Sequence, residues 1–305
     1  MRNGRAFTHP AMAQSESTLA PAKINLTLRI FGRRGDGFHE LESLVAFAPF
    51  GDRLTLWPDG PLDLEVSGAT AAGAGPLADN LVLRAARALA ARIEGLRLGR
   101  FALVKRLPSG AGLGGGSSDA AAALRLIAKV NRLALEDPRI HDAARATGAD
   151  IPVCLDPRPR IMRGIGEILS APLVLPRLGI LIVHPALALP TGPVFKALGL
   201  APGEQLLARS AARSVSPPAS EPDALLAWLA AERNDLEQAA ISIAPQVAAA
   251  LEAIADLPGC RLARMSGSGS ACFGLFDSSS AAAAAGRRLT AAHPSWWVRA
   301  GLLGS

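Results

Sequence analysis

The chain of 305 residues contains no tyrosine, and its aromatic residues amount to only 4%. Proteins that bind single-stranded nucleic acid stack bases on such rings, so this composition argues against a nucleic-acid partner. Cysteine is also scarce: Cys154, Cys260 and Cys272 form an odd set with no CxxC spacing. This pattern argues against a disulfide scaffold and favours a reducing, cytoplasmic location.

Long apolar segments are missing as well. No stretch without charged residues reaches the roughly 18 residues that a membrane-spanning helix needs, so we expect no membrane association. Residues 1–17 lack the apolar core of a secretory signal, and we predict a disordered extension there. The net charge of +6 comes from scattered arginines rather than from a basic block, which favours small anionic ligands at most.

The hydrophobic patterns that indicate strands and helices form two groups along the chain, and the second group begins beyond residue 160. Two groups that each mix strands and helices indicate an α+β protein of two domains that divide near residues 160–170. The predicted strands are 23–30, 41–47, 53–57, 101–107, 179–184, 261–265, 271–276 and 296–300. The predicted helices are 80–93, 117–130, 140–147, 223–232, 235–254 and 278–292, and Asp79 or Asn80 is predicted to cap the first of them. The segment 214–223 is predicted to be an exposed loop.

Glycine is concentrated in the segment Pro108–Ser118, which reads PSGAGLGGGSS and is called the glycine loop below. Its backbone can approach a ligand closely, and the predicted helix that follows directs its positive end towards it. The pattern therefore predicts an anion site, most often a phosphate site. It is not a Walker A loop, because no Lys-Ser/Thr pair follows the glycines. A dinucleotide-binding loop and a purely structural turn remain open, although no strand precedes the acidic pair Glu136 and Asp137.

Two serines and an aspartate follow the glycines. One of Ser117 and Ser118 is predicted to cap the helix, and the other to donate to a phosphate or to bind Mg²⁺. Asp119 suits the positive end of the helix, but a carboxylate there would repel phosphate, so its role stays open.

Phosphoryl transfer needs a cation near the transferred group and a carboxylate for the attacking hydroxyl. Lys23, in an otherwise apolar strand, is the candidate cation. Asp150 is the candidate carboxylate, with helix capping as an equally good explanation. His39 fits no zinc-protease pattern, because Ser43 stands where the second histidine would be. A second glycine cluster, Ser266–Ser270, is either a hairpin turn or part of a joint phosphate cleft.

These segments together resemble the GHMP kinase superfamily, which includes galactokinase, homoserine kinase, mevalonate kinase and phosphomevalonate kinase. Three motifs occur in the superfamily's order: PAKINL from Pro21, PSGAGLGGGSSDAA from Pro108 and RMSGSGSACFGLF from Arg264. The further markers DGFHELES, TGADIPVCL and NDLE are similar to the branch that phosphorylates a cytidine-diphosphate derivative of methylerythritol. The resemblance covers nearly the whole chain and implies an ATP-dependent kinase of non-mevalonate isoprenoid precursor biosynthesis.

The resemblance also implies site residues. Lys23 and Asp150 would form the catalytic pair: Asp150 would orient or deprotonate the C2 hydroxyl, and Lys23 would hold Asp150 and help to neutralise the γ-phosphoryl. ATP, with bridging Mg²⁺, would bind at Asn80, Lys105, Pro108, Ser109, Gly110, Ala111, Gly112, Leu113, Gly114, Gly115, Gly116, Ser117 and Ser118, with Ser118 as a metal ligand. The cytidine diphosphate substrate would bind at Asn25, Phe38, His39 and Phe195. Phe38 lacks the hydroxyl of the tyrosine that the family often has there.

The implied fold is α+β, the two-domain GHMP kinase fold with the active site between the domains. Residues 18–165 would form a ribosomal-protein-like, ATP-binding domain, and residues 166–305 a ferredoxin-like domain. Three other functions stay open: a homoserine or mevalonate-type kinase, a nucleotide-binding regulator that transfers no phosphate, and, least favoured, an RNA-binding module. The sequence leaves the oligomeric state open.

Overall fold

The computed structural model describes residues 15–206, 217–218 and 221–304. Within them, the first half of the chain forms a seven-stranded sheet and the second half a four-stranded sheet. Residues 1–14 of the predicted extension, and 207–216 and 219–220 around the predicted exposed loop, lie outside the described residues. In the part that is described, no helix has the length and apolarity needed to cross a membrane.

The first half opens with strands. These are β1 (Glu16–Asn25), β2 (Arg29–Arg33), β3 (His39–Pro58) and β4 (Asp63–Ser67), followed by helix α1 (Leu81–Ala90) and strand β5 (Gly99–Val104). Then come helices α2 (Gly115–Val130), α3 (Pro138–Thr147) and α4 (Ile151–Leu155), and strands β6 (Arg160–Gly164) and β7 (Ile168–Leu169). β4 pairs parallel with β5, whereas the other neighbours pair antiparallel.

Strand β3, with 20 residues, is the centre of this sheet. The predicted strands 41–47 and 53–57 are wrong as separate elements, because β3 runs through both. β1 pairs along this joining region of β3. A Cβ at Gly51 would lie only 1.9 Å from the carbonyl oxygen of Ala20, so glycine is what permits the close pairing that keeps β3 continuous.

Strand β1 differs from its prediction at both ends. It begins at Glu16, so the last two residues of the predicted extension 1–17 are paired strand residues. It ends at Asn25, and the chain leaves the sheet before β2 begins. A register shift between Pro21 and Lys23 interrupts the pairing of β1 with β3. This irregularity lies next to the residue predicted to be the catalytic cation.

Helices α1 and α2 pack against each other, and α2 packs on β1. The predicted cap of α1 is confirmed: Oδ1 of Asn80 accepts a hydrogen bond from the Val82 N–H at 3.0 Å. α2 begins at Gly115, two residues before its predicted start, and buries the alanines 120–123. Small side chains let this helix lie close to the sheet, which directs its N-terminus towards the glycine loop.

The second half forms a smaller layered unit. Its elements are β8 (Leu178–His184), α5 (Thr191–Lys196), α6 (Pro222–Ala231), α7 (Glu237–Ile243), α8 (Gln246–Ala255), β9 (Leu262–Met265), β10 (Cys272–Phe276), α9 (Ser279–Ala292) and β11 (Trp297–Leu303). The strands are antiparallel in the order β11-β8-β10-β9. Because helices follow β8 and β10, the first and third of these strands in chain order, the topology is ferredoxin-like, as the resemblance implied.

Two predicted boundaries need correction. The helix predicted over 235–254 is broken into α7 and α8 at Ala244, because Pro245 has no N–H and its ring clashes with the preceding turn. The domain boundary predicted at 165–166 falls within the connection of β6 to β7, and both strands belong to the first sheet. The division between the sheets therefore lies between Leu169 and Leu178.

A common core joins the two sheets. Ile24 and Leu44 of the first sheet share one buried cluster with Ile180 and Phe273 of the second. All four side chains are fully buried, and each such burial stabilises the fold by roughly 1.5–3 kcal/mol. The loops that leave the two sheets are therefore held in fixed positions relative to each other.

Candidate active site

A cavity of about 770 Å³ lies where loops from both halves of the chain meet. It is lined by the ends of β1, the glycine loop, the residues that enter α4, helix α5 and the loop between β9 and β10. Every site residue implied by the resemblance lines it except Ser118. Residues far apart in sequence are thus brought to one concave surface, which is the usual form of a small-molecule site.

The glycine loop has its hydrogen-bond donors free and its acceptors occupied. The carbonyl oxygens of Ala111, Gly112 and Leu113 accept bonds from the Ala271 N–H, the Ser266 hydroxyl and the Lys23 N–H at 3.0, 3.1 and 2.9 Å. None of the N–H groups from 109 to 117 has a partner among the described residues. The loop therefore presents a row of donors, and the N-terminus of the 16-residue helix α2 adds its positive end.

Close contacts require glycine at two positions of this loop. Gly112 and Gly114 have φ of +72° and +61°, which side-chain-bearing residues rarely adopt. A Cβ at Gly112 would lie 2.3 Å from the carbonyl oxygen of Ser266. A Cβ at Gly114 would lie 3.0 Å from Cβ of Lys23. The conformation of the loop is therefore tied both to the second glycine cluster and to the lysine.

Lys23 and Asp150 form an ion pair with 2.7 Å between Nζ and Oδ2. The lysine side chain is only 5% exposed, whereas the aspartate side chain is 38% exposed and faces the cavity. Asp150 stands at the N-cap position of α4, but its side chain makes no capping hydrogen bond. The geometry therefore favours Asp150 as the carboxylate for the attacking hydroxyl over Asp150 as a helix cap. The sequence supported these two explanations equally.

The two serines of the loop differ from their predictions. The N-cap of α2 is Gly114, so neither Ser117 nor Ser118 caps the helix. Ser118 is fully buried, and its hydroxyl donates to the Pro21 carbonyl at 2.6 Å. It does not line the cavity, so the structure does not support its predicted role as a Mg²⁺ ligand. Ser117 does line the cavity, at the first turn of α2.

Lys105 lies in a buried charged cluster that the sequence did not reveal. Its ammonium contacts Asp52 and lies 2.7 Å from Oδ2 of Asp119. Burial lowers the pKa of Lys105, but Asp119 and Asp52 outweigh burial and raise it. Burial raises the pKa of Asp119 to about 7, although Lys105 opposes the rise. Asp119, whose role was open, therefore balances a buried lysine beneath the glycine loop.

Asp52 connects this cluster to the glycine loop. One of its oxygens accepts from the N–H groups of Arg106 and Leu107, the latter at 2.9 Å. These residues directly precede Pro108, so the aspartate holds the entry to the loop. Sequence reasoning missed Asp52 because nothing in GDRLTL distinguishes a buried carboxylate from a surface one.

Aromatic side chains lie at another part of the cavity. The rings of His39 and Phe195 are 4.8 Å apart and tilted by 41°. Burial, with a smaller effect of Arg33, lowers the pKa of His39, and its buried Nε2 has no partner among the described residues. Phe38 is 54% exposed at the cavity lining. A neutral imidazole and exposed ring faces suit a planar polar ring.

Asn25 is fixed at the bottom of the site. It is 2% exposed, its Nδ2 donates to Ser43 at 2.7 Å, and its backbone N–H donates to Ser266 at 3.1 Å. The Ser43 hydroxyl in turn donates to the Thr27 carbonyl at 2.6 Å. This chain of bonds holds the side-chain amide of Asn25 in one orientation.

The second glycine cluster, Ser266–Ser270, connects β9 to β10 as a hairpin and also contacts the glycine loop. Gly267 and Ser268 line the cavity. The hydroxyls of Ser268 and Thr191 are 2.9 Å apart. The cluster is therefore a hairpin turn that also lines the cavity, and its part in a phosphate cleft stays a prediction. Thr191 itself carried no signal in the sequence.

Comparisons with known proteins identify the family of this chain. The model of the GHMP kinases N terminal domain matches residues 80–156, and that of the GHMP kinases C terminal domain matches residues 219–295. A curated relative from Xanthobacter autotrophicus, named 4-diphosphocytidyl-2-C-methyl-D-erythritol kinase, is 58% identical over 291 residues. The match covers 93% of this chain and 97% of the relative.

Solved structures show the same similarity. A crystal structure of 4-(cytidine 5'-diphospho)-2C-methyl-D-erythritol kinase has a TM-score of 0.75 and 34% identity, and covers 95% of this chain and 100% of that one. Homoserine kinase from Cytophaga hutchinsonii has a TM-score of 0.63 at 20% identity, over 98% of this chain and 97% of its own. At that identity the second similarity concerns the fold alone.

Proposed function

The chain belongs to the 4-diphosphocytidyl-2-C-methyl-D-erythritol kinases of the GHMP kinase superfamily, and we propose that Lys23, Asp150 and the glycine loop carry out its reaction. The enzyme transfers the γ-phosphoryl group of ATP to the 2-hydroxyl of 4-diphosphocytidyl-2-C-methyl-D-erythritol and releases ADP. This is a step of non-mevalonate isoprenoid precursor biosynthesis.

The observation that supports the proposal most is the row of free N–H groups in the glycine loop beside the Lys23–Asp150 pair. Backbone donors that are already oriented bind phosphate oxygens without reorganisation when charge develops. The positive end of α2 adds to the same field. The glycine loop would thus hold the phosphates of ATP with the γ-phosphorus near the ammonium of Lys23.

The transfer itself needs only positioning and one proton acceptor. The 2-hydroxyl oxygen attacks the γ-phosphorus, and the bond from that phosphorus to the oxygen bridging to the β-phosphate breaks. Asp150 accepts the hydroxyl proton, and Lys23 orients Asp150 and offsets the negative charge of the transferred group. The 2.7 Å contact between the two side chains supports this division of roles.

Mg²⁺ is proposed to enter with the ATP phosphates. Ser118 does not fit as a ligand, because its hydroxyl is buried and donates to a carbonyl. Among the described residues there is no group of three or more His, Cys, Asp or Glu side chains arranged to hold a metal ion. Mg²⁺ on nucleotide phosphates keeps water and phosphate ligands and needs few from the protein. No step above is assigned to a metal held by the protein.

The two ends of the cavity are proposed to bind the two nucleotide portions. Asn80, with Gly73 and Asp79, lines one side of the glycine loop, where the nucleoside of ATP would lie. Lys105 would act there through its backbone carbonyl, because its ammonium is engaged by carboxylates and its N–H donates to the Ser67 carbonyl at 2.7 Å. Cytosine would lie against Phe38, His39 and Phe195, a set that offers ring faces and a neutral imidazole.

A coupled assay of ADP release tests the function. We expect turnover with 4-diphosphocytidyl-2-C-methyl-D-erythritol and none above background with homoserine or mevalonate. CMP should compete with the cytidine-containing substrate because it shares the cytosine site. Faster turnover of homoserine or mevalonate, without competition by CMP, would refute the proposal. Binding of ATP without any transfer would instead indicate a regulator.

A further inference from the structure

The NDLE segment, Asn234–Glu237, has no role in the reaction described so far. It follows α6 and ends on the first residue of α7, and its Leu236 is fully buried from solvent yet contributes to the cavity lining. The backbone of Leu28 connects to it on both sides: the Leu28 N–H donates to the Arg233 carbonyl, and the Asp235 N–H donates to the Leu28 carbonyl. The segment therefore joins the first sheet to the cavity.

Asn234 uses every part of its side-chain amide on backbone groups. Nδ2 donates to the carbonyls of Met265 and Gly267 at 2.9 and 2.8 Å, and Oδ1 accepts from the Leu236 N–H at 3.0 Å. The residue is 6% exposed. Glu237 completes the arrangement by accepting from the Met265 N–H at 2.9 Å. Both backbone groups of Met265 are thus held just where β9 enters the second glycine cluster.

The same arrangement leaves donors free in that cluster. Among the described residues, neither the Gly267 nor the Ser268 N–H has a hydrogen-bond partner. Both residues line the cavity, and Gly267 has φ of +59°. Consecutive free N–H groups around a residue of positive φ can form an anion-binding concavity. With its carbonyl held by Asn234, Gly267 keeps one conformation.

We propose that Asn234 is a positioning residue for the kinase reaction. It holds the second glycine cluster so that the N–H groups of Gly267 and Ser268 are available to a phosphate group in the cavity, either of ATP or of the cytidine diphosphate. The inference rests on the proposed function, because it needs a phosphate-bearing ligand in this cavity. Glu237 supports the same conformation from the other side of Met265.

The test compares two asparagines with the same bonding pattern. Asn234→Asp keeps the shape and the acceptor oxygen but puts an oxygen against the carbonyls of Met265 and Gly267. Asn131→Asp is the matched control. Its Nδ2 also donates to two carbonyls and its Oδ1 also accepts one N–H. Asn131 lies after the last turn of α2, about 24 Å along that helix from the glycine loop.

We expect Asn234→Asp to lower kcat/KM by about 10- to 100-fold, less than the roughly 100- to 1,000-fold for outright removal of a preorganised donor, because the N–H groups are displaced and not deleted. Asn131→Asp should stay within about threefold of wild type. A rise in KM for ATP alone would assign the donors to the ATP phosphates. A rise in KM for the diphosphocytidyl substrate alone would assign them to its diphosphate. Equal losses in the two variants would overturn the proposal.

Hydrogen–deuterium exchange and a second variant separate a positioning role of Asn234 from a failure to fold. Hydrogen–deuterium exchange should increase at 266–270 in Asn234→Asp but not in Asn131→Asp. If Asn234→Asp does not fold, Glu237→Met, which removes the acceptor of the Met265 N–H and a negative charge that acts on Arg264, should give a smaller change in the same direction. Unchanged exchange at 266–270 in whichever of these variants folds would refute the positioning role. If wild-type enzyme transfers no phosphate to the cytidine-containing substrate, the proposed function fails, and the exchange data still decide whether Asn234 holds the cluster.

Discussion

At the scale of single residues, the contacts of a side chain decide its chemistry more than its type does. Asp52, Asp119 and Asp150 all lie near the glycine loop, but only Asp150 is both partly exposed and paired with a lysine in the cavity. Asp52 is fully buried and accepts a hydrogen bond from the backbone just before the glycine loop. One residue type thus provides the proposed proton acceptor, a partner for a buried lysine and a backbone anchor.

Asp150→Asn should lower kcat by at least about 100-fold, because the amide cannot accept the hydroxyl proton. The dissociation constant for ATP should change by less than about threefold, since the donors of the glycine loop are intact. Asp156→Asn is a suitable control, because that carboxylate pairs with Arg158 and Arg160 outside the cavity. Near-normal kcat in Asp150→Asn would remove this aspartate from the mechanism.

The lowered pKa of His39 predicts the pH dependence of substrate binding. An ordinary imidazole is half protonated at pH 6.5, whereas burial and Arg33 lower the pKa of this one, so that less than half of it is protonated there. KM for the diphosphocytidyl substrate should therefore increase by less than about twofold from pH 8 down to 6.5 and rise further only at lower pH. Steady-state kinetics over this range checks it, with KM for ATP as the internal reference. An increase in KM of more than about twofold between pH 8 and 6.5 would contradict the assignment.

At the scale of elements, the glycine loop is held by its carbonyls and not by its N–H groups. β1 binds it at Leu113, the second glycine cluster binds it at Gly112, and Ala271, which follows that cluster, binds it at Ala111. Its positive-φ glycines therefore differ in what surrounds them. Gly110 has open space where a Cβ would be, whereas Gly114 faces the side chain of Lys23.

Gly114→Ala should therefore reduce kcat at least about tenfold more than Gly110→Ala. The two positions have φ of +61° and +65°, so a methyl group adds similar backbone strain at each. Only at Gly114 does the methyl group press on Lys23, at 3.0 Å from its Cβ. Kinetics and ATP titration of both variants give the comparison. Equal kcat values would show that the loop and the lysine are independent.

Element prediction from the sequence succeeded where the signal is local. The Asn80 cap and the helix after the glycine loop follow from short-range chemistry, and α2 differs from its prediction by two residues at its start. Strands 41–47 and 53–57 were wrongly separated, because the continuity of β3 depends on how closely Ala20 approaches Gly51. Strand continuity is a property of the partner strand, which local patterns do not contain.

At the scale of the whole molecule, the cavity exists because the two sheets share one core. His39 and Phe195 meet although they are far apart in sequence, and Lys23 reaches Asp150 across 127 positions of the first half. The buried cluster of Asp52, Lys105 and Asp119 lies beneath this junction. Its charge state should therefore affect the stability of the whole fold.

Asp119 determines whether the stability of the fold rises or falls with pH. Its pKa is about 7 in the folded protein against an ordinary 3.8, so the folded state holds a proton that the unfolded state releases in between. The stabilising contribution is complete below pH 3.8 and is lost as the pH rises through 7. Between pH 4 and pH 7, the Tm of wild type should fall by roughly 2 °C or more relative to Asp119→Asn. Thermal unfolding of both proteins checks this, and a constant difference in Tm would contradict it.

The sequence by itself determined the chemistry that short segments carry. A glycine-rich stretch before a helix start specifies free N–H groups, and the three motifs in order indicate the kinase family. Only the tertiary structure decided which polar side chains face the cavity. It buried Ser118 against Pro21 and paired Lys105 with two carboxylates. It also placed the side chain of Asn234 within hydrogen-bond distance of the backbone of the second glycine cluster. The physical reason is that these contacts depend on strand register and helix rotation across long sequence separations, whereas the N–H groups of the loop depend only on its own residues.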